Sequence, residues 1–384
     1  MCGSHILYEI KSLDWFALLG YYIFNKLAAS TKHLTYSVKR ILRMNVKKSI
    51  IALSVVSLLS ACAQNQPAEM NLEEKVNSNA IKITAANYAK AETARNYKNW
   101  LKFGANNNIA HMKQLPPRGK AAPTVQMNDD TLYSVVITEA VNGKVQFSIP
   151  KSDVYIAVQV VTEGGHGQHY VVGEGDYDVS VETKYAFLIY RTGTEKGLDA
   201  ARSAQQLIKD DTFKFGTYKL PNYDFEEVEE WTARLTKETS GSAFEYTFPR
   251  TSKDITDLHQ WNLENANGWG GSSPAVNVAN KYTNSVILSS GECLSTTFDN
   301  PESKYFTSIT AYDSSRYLIK GVRHISSHTW QENKDGTITV SFNCGDNAVN
   351  NIDTKGTDFT FTMRYYGLSQ KVMDGKISPE KTVK

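Results

Sequence analysis

The segment Asn128-Asp129-Asp130-Thr131-Leu132-Tyr133-Ser134 sets three short polar side chains directly ahead of an apolar run. Asp129 and Asp130 are hard oxygen donors that could meet a cation or a polar ligand, with Asn128 beside them. The same residue types also close turns by bonding nearby backbone, so a structural role stands next to the functional one. His166 and His169 lie three apart in Gly164-Gly165-His166-Gly167-Gln168-His169. Such a pair could hold zinc or copper, or serve as acid and base, if Glu163 or Glu174 supplied a third ligand. A solvated glycine-rich loop with two incidental imidazoles is the plainer alternative. Arg191 and Arg364 each close a strand-like run beside tyrosine. A planar guanidinium fork there could grip carboxylate, phosphate or sulfate, or pair with an aspartate at a domain interface. Trp269, set among Gly268, Gly270 and Gly271, could stack on a sugar ring from an exposed loop or plug a seam between domains. No Gly-x-Ser-x-Gly elbow, P-loop or His-Glu-x-x-His occurs, so no motif specifies a reaction and the cofactor is unknown.

The elements that must position these groups read as mainly β. After an Ala-rich helical stretch, Asn79 to Gly104, strand-like runs cover Leu132 to Ile137, Val145 to Ile149, Val154 to Val161, Tyr177 to Val181 and Tyr185 to Tyr190. Asn142-Gly143 and Asp335-Gly336 are hairpin signals. Gly197 to Asp210 reads helical, and residues 216–269 form a connector with helical pieces at Phe225 to Lys237 and Asp254 to Asn265. Strand patterns return at Val286 to Ser289, Cys293 to Phe298, Tyr305 to Tyr312, His324 to Trp330, Thr337 to Phe342 and Phe359 to Tyr366. Tyrosines outnumber phenylalanines, 21 to 15, which favours half-buried sheet faces. The expectation is an N-terminal β-sandwich over 78–215, a helical connector over 216–269 and a jelly-roll-like β-sandwich over 270–384.

From Met44 the chain reads MNVKKSIIALSVVSLLSAC. Lys47 and Lys48, the apolar stretch Ser49 to Leu59 and the small residues before Cys62 occur in the order of an export signal. The run is short for a hydrocarbon core of about 30 Å. Leu59-Ser60-Ala61-Cys62 resembles the lipobox of bacterial lipoproteins. The resemblance implies a signal peptide over 44–61, a lipidated Cys62 as first residue of the mature protein and a tether over 62–77. Two or more acyl chains give stable anchoring, which makes the membrane a partner. Ala63 in place of Asp implies the outer membrane, with the body facing the periplasm. Residues 1–43 are expected to be an upstream over-extension. In an oxidising compartment, Cys293 and Cys344 read as a disulfide.

The chain carries 42 basic and 40 acidic residues. Residues 1–61 hold eight Lys or Arg against two acids, which leaves 34 basic and 38 acidic residues, a net of −4. A mildly acidic body lacks the electrostatic footprint of nucleic-acid binding, and that class is set aside.

Asn128-Asp129-Asp130-Thr131-Leu132-Tyr133-Ser134 also resembles the signature of domain of unknown function 1254, with Tyr190-Arg191-Thr192 as a later landmark. Phe306-Thr307-Ser308-Ile309-Thr310-Ala311-Tyr312-Asp313, Asp335-Gly336-Thr337 and Met363-Arg364-Tyr365-Tyr366 resemble domain of unknown function 1214. Thr307 departs from that second pattern, as does Asn351-Ile352-Asp353-Thr354. The resemblance spans roughly 80–370 and implies two β domains without a reaction. The leading expectation is an envelope lipoprotein that binds a polar ligand such as a saccharide between those domains. A metal-dependent hydrolase or lyase using His166 and His169, and a structural or assembly protein of the envelope, are the competing expectations.

Overall fold

The structure is a computed structural model that describes residues 79–238, 246, 248–269, 280–321 and 323–384. Cys62, the signal segment and residues 1–77 lie outside the described residues.

The first helix, α1 (Tyr88–Leu101), buries Tyr88, Ala91, Tyr97 and Trp100 along one stripe. It starts later than the Ala-rich pattern suggests. Ile81 instead bridges to Tyr223, its N–H donating to Asn222 O at 2.7 Å, so the stretch before α1 serves as a strap. Seven strands follow: β1 (Ala110–His111), β2 (Thr131–Glu139), β3 (Lys144–Ile149), β4 (Ile156–Thr162), β5 (His169–Val172), β6 (Gly175–Ser180) and β7 (Tyr185–Gly193). They form a five-stranded sheet in the order β1-β2-β7-β4-β5 and a separate β3-β6 ribbon. Alternation along the strands sorts the side chains. Val136, Val158, Val160 and Leu188 face the ribbon's Val145, Phe147 and Val179, while Val135, Ile137, Phe187 and Ile189 face Tyr97 and Trp100 of α1.

Helix α2 (Leu198–Gln205) is followed by α3 (Phe225–Glu238) and α4 (Leu258–Gly268). The carboxylate of Asp257 caps α4 by accepting from His259 N and Gln260 N. These helices do more than connect. Val228, Leu235, Leu263 and Ala266 pack on Ile83, Tyr88 and Ala91 to make a helical layer with α1.

The C-terminal strands are β8 (Asn280–Asn284), β9 (Leu294–Asp299), β10 (Phe306–Asp313), β11 (His324–Ser326), β12 (Thr337–Phe342), β13 (Asn351–Ile352) and β14 (Phe359–Tyr366). A four-stranded sheet β11-β10-β14-β8 packs on a three-stranded sheet β13-β12-β9. Ile309, Ala311, Phe361 and Met363 meet Ile338, Val340 and Phe342 between them. The fold is therefore mainly β with a few helices, as expected. One strand is placed differently: β8 is the polar run Asn-Lys-Tyr-Thr-Asn, whereas Val286 and Ile287 are exposed. Cys293 and Cys344 are joined in a disulfide across the end of β9 and β12. No described helix is long and apolar enough to cross a membrane.

Candidate functional site

The second face of the four-stranded sheet points at the five-stranded sheet, and it is not apolar. Strand pairing sets it out in rows: Asn280, Tyr366 and Phe306; then Tyr282, Arg364 and Ser308; then Asn284, Thr362 and Thr310. Opposite them, Tyr133 pairs with Arg191, and Arg191 with Ala157. Tyr155, Ala157, Tyr170, Tyr282, Phe306 and Tyr366 close the seam as an aromatic cluster. Phe306 stacks on Tyr366 at 4.3 Å between ring centres.

The Asn128 signature is the strap that ties the two sheets together. Four consecutive residues each bond to the C-terminal sheet. Gln126 O accepts from Arg364 Nη2 at 2.7 Å, and Met127 O accepts from the Tyr312 hydroxyl at 2.8 Å. Asn128 Nδ2 donates to the Tyr366 hydroxyl at 2.7 Å. The Asp129 carboxylate takes both Arg323 Nε and Arg323 Nη2, and lies 3.1 Å from His324 Nδ1. Asn128 Oδ1 also accepts from Asp130 N, the local turn that its residue type favours. Asp129 is thus committed to a guanidinium and not free for a cation, which corrects its reading as a metal donor. Asp130 is buried, with Oδ1 3.5 Å from His324 Nε2 and Oδ2 without a hydrogen-bond partner. Burial raises its pKa above the usual carboxylate value, against the opposing pull of His324 and Arg364.

A cavity of about 50 Å³ lies in the seam, lined by Asn128, Tyr133, Arg191, Trp269, Tyr282 and Arg364 among others. That is room for roughly three or four waters, or for one small polar group. Both arginines are buried, Arg191 at 7% and Arg364 at 2% exposure. Arg191 Nη2 donates to Gln159 Oε1 at 2.7 Å, and the guanidinium lies over the rings of Tyr133 and Tyr170. Arg364 Nη2 also donates to the Tyr312 hydroxyl at 2.5 Å, below the ring of Tyr282. In each, Nη1 has no partner. Among the described residues no ion pair includes either arginine. The expected alternative, an aspartate partner at the interface, is therefore not what holds them. Burial keeps the Tyr133, Tyr155 and Tyr366 phenols above their ordinary pKa, so near neutral pH they act as uncharged hydroxyls.

The other sequence candidates lie elsewhere or differ in detail. Trp269 is half-buried and lines the cavity, its indole N–H donating to Thr93 Oγ1 at 2.9 Å, so it plugs the seam instead of standing in solvent. His166 and His169 do not line the cavity. They belong to the β4–β5 hairpin, where Gly165 and Gly167 adopt φ of 77° and 67°, the left-handed region that glycine tolerates. His166 Nδ1 lies 3.4 Å from Glu182. Glu163 turns away to accept from Tyr185 N, and His169 is pushed down to about pKa 4 by burial and the Arg250 charge. Among the described residues no three His, Cys, Asp or Glu side chains are grouped to hold a metal. Sequence reasoning missed the hydroxyls of Tyr133, Tyr155, Tyr282 and Tyr366 and the partners Arg323 and His324. The alternation Thr362-Met363-Arg364-Tyr365-Tyr366, with polar groups at every second position, was the available signal.

Residues 106–212 match the family described as Protein of unknown function (DUF1254). That span holds Asn128, Asp130 and Arg191, while Trp269 and Arg364 lie beyond it. The crystal structure of the VPA0106 protein from Vibrio parahaemolyticus is similar with a TM-score of 0.53 and 13% identity, covering 78% of this chain and 98% of that one. A crystal structure of an uncharacterized protein from Burkholderia cenocepacia gives a TM-score of 0.43 at 13% identity, covering 74% and 85%. At such identity the first of these speaks for the fold alone. No curated protein matches the chain.

Proposed function

We propose that this chain is an exported lipoprotein, anchored through Cys62, whose folded part binds an acidic ligand group in the seam cavity. The address rests on the n-region, apolar run and Leu-Ser-Ala-Cys ending. On the same reading residues 270–384 are the domain of unknown function 1214 partner of the matched N-terminal segment.

One observation carries the ligand class: Arg191 and Arg364 are buried, face one cavity and each keep an unpartnered Nη1 without a carboxylate in ion-pair reach. Burying one unpaired charge is costly, and waters can satisfy the N–H groups without neutralising two guanidiniums. An anionic oxygen group does both. The cavity size narrows the saccharide expectation. About 50 Å³ is small for a whole sugar ring and suits a carboxylate, phosphate or sulfate. Asn128 and the Tyr133 hydroxyl, which line the cavity, then supply donors for its remaining lone pairs.

Thermal unfolding of the purified protein tests this with acetate, phosphate, sulfate and glucuronate against glucose. Saturation at about 100 times Kd adds roughly 2.7 kcal/mol of stability. The stabilisation should appear with at least one anion, be absent with glucose, and vanish in Arg191→Met and Arg364→Met. No stabilisation by any of the four anions, or equal stabilisation by glucose, refutes it.

A further inference from the structure

Next to the seam cavity, which shares Val125 with one of them, two adjoining hollows of about 430 Å³ each form a groove. Both are walled by Arg95, Lys120, Glu229 and Tyr317, so they run into one another. Either volume falls within the range of roughly 300–1,000 Å³ typical of ligand sites. The groove is built from α1 and the turn after it, the segment 120–125, α3 and the turn after β10.

Its charge is the unusual feature. Arg95, Lys98, Lys102, Lys120, Lys237 and Arg316 line it, against the single carboxylate of Glu229. Of these cations only Arg95 is in an ion pair among the described residues, with Glu92 at 2.8 Å. The whole chain is nearly balanced, so this excess belongs to the place and not to the composition. Aromatic rings accompany the charges. Lys98 Nζ sits 4.2 Å from the centre of the Phe225 ring, and Phe103 is 48% exposed. Cations interleaved with rings that can stack on a sugar face suit a chain bearing both rings and negative charges.

We infer that this groove binds an acidic polysaccharide segment, such as a run of uronic acid residues. The choice of a glycan rests on the exported, ligand-binding reading above, but the groove itself uses neither Arg191 nor Arg364. A bilayer surface also attracts lysines, yet it is flat, and a concave channel presents its walls to a chain that enters it. Val125 lines both the groove and the seam cavity, so an acidic chain end lies next to the buried arginines.

Calorimetric titration of the full chain in detergent tests the inference. The probes are a tetramer of 1,4-linked uronic acid, a neutral tetrasaccharide, phosphatidylglycerol vesicles and a single-stranded oligonucleotide. The acidic tetramer should bind, and the neutral one should not. Affinity should fall with added salt, drop about tenfold or more in the double variant Lys102→Glu/Lys120→Glu, and fall a few-fold in Phe103→Ser. All three sites are exposed, and an unchanged melting temperature confirms that the variants fold. Absence of tetramer binding, or binding indifferent to the charge reversal, overturns the inference. So does tighter binding of vesicles or oligonucleotide through the same lysines. If the anion panel still stabilises the protein in any of those cases, the seam cavity stands while the groove falls.

Discussion

The two faces of the four-stranded C-terminal sheet come from the same strands and are equally buried, yet they are chemically opposite. One presents Ile309, Ala311, Phe359, Phe361, Met363 and Tyr365, all fully buried against the three-stranded sheet. The other presents Ser308, Thr310, Tyr312, Thr362, Arg364 and Tyr366, at most 3% exposed. A sheet needs only one apolar face to pack, and apolar area drives that packing. The second face leaves Arg364 Nη1 without a partner, a desolvation cost that an apolar side chain would avoid. On the reading proposed above, that cost is what a binding surface carries before its ligand arrives. The comparison teaches that burial alone does not distinguish the two faces; the chemistry of what is buried does.

Substitutions on the two faces sharpen that contrast. Phe361 stacks on Phe342 at 5.0 Å, so Phe361→Ala should cost about 3–5 kcal/mol in denaturant unfolding and leave anion binding intact in the protein that remains folded. A loss under 1 kcal/mol would show that the apolar face is not the stabilising one. Next comes the strap: Asp129→Asn leaves Arg323 without its carboxylate, with an expected loss of about 3 kcal/mol, the low end for a broken buried pair. Lower still is Arg364→Met. Replacing a buried guanidinium that lacks an ion-pair partner by a side chain of similar length should shift stability by less than about 1 kcal/mol, in either direction, while abolishing anion-induced stabilisation. If that variant instead lost as much as Phe361→Ala, the polar face would be part of the structural core and the contrast would fail.

Much of this was legible beforehand. Periodicity placed most strands, because Val, Ile and Tyr alternate in Tyr185 to Tyr190 and Phe359 to Tyr366, and Arg191 and Arg364 stood out as cations in otherwise apolar runs. What alternation could not convey was convergence. Arg191 and Arg364 lie far apart in sequence, and their shared cavity arises from the packing of two sheets, which is a tertiary fact. Strand β8 was missed because Asn280, Tyr282 and Asn284 face the polar seam, so the strand lacks the apolar pattern that identifies one; the apolar Val286 and Ile287 drew attention instead. The hairpin of His166 and His169 read as a loop because its glycines mark a turn as well as they mark disorder. Net charge hid the basic groove, since six cations gathered from distant segments vanish in a balanced total.

The smallest expected effect concerns pH, and it bears on the edge where strap and polar face meet. His324 has Nδ1 3.1 Å from Asp129 and Nε2 3.5 Å from Asp130. Burial pulls its pKa down, but the hydrogen bond to Asp129 and the two carboxylate charges outweigh that pull, and the net shift is upward from 6.5. A base with a raised folded pKa adds stability that is complete below its unfolded value and fades as pH rises through the folded one. Asp130, raised by burial, acts in the same sense from 3.8 upward. His111, His166 and His169 are shifted down by burial, and they destabilise the fold as pH falls. The whole-protein profile therefore mixes opposite signs, and only a difference isolates the edge. Unfolding of wild type and His324→Gln should be compared at about pH 6 and about pH 8. The wild-type advantage should be larger at the lower pH and shrink at the higher one. An advantage that grows with pH would mean that His324 is neutral in the fold, and that Asp129 is held by Arg323 alone.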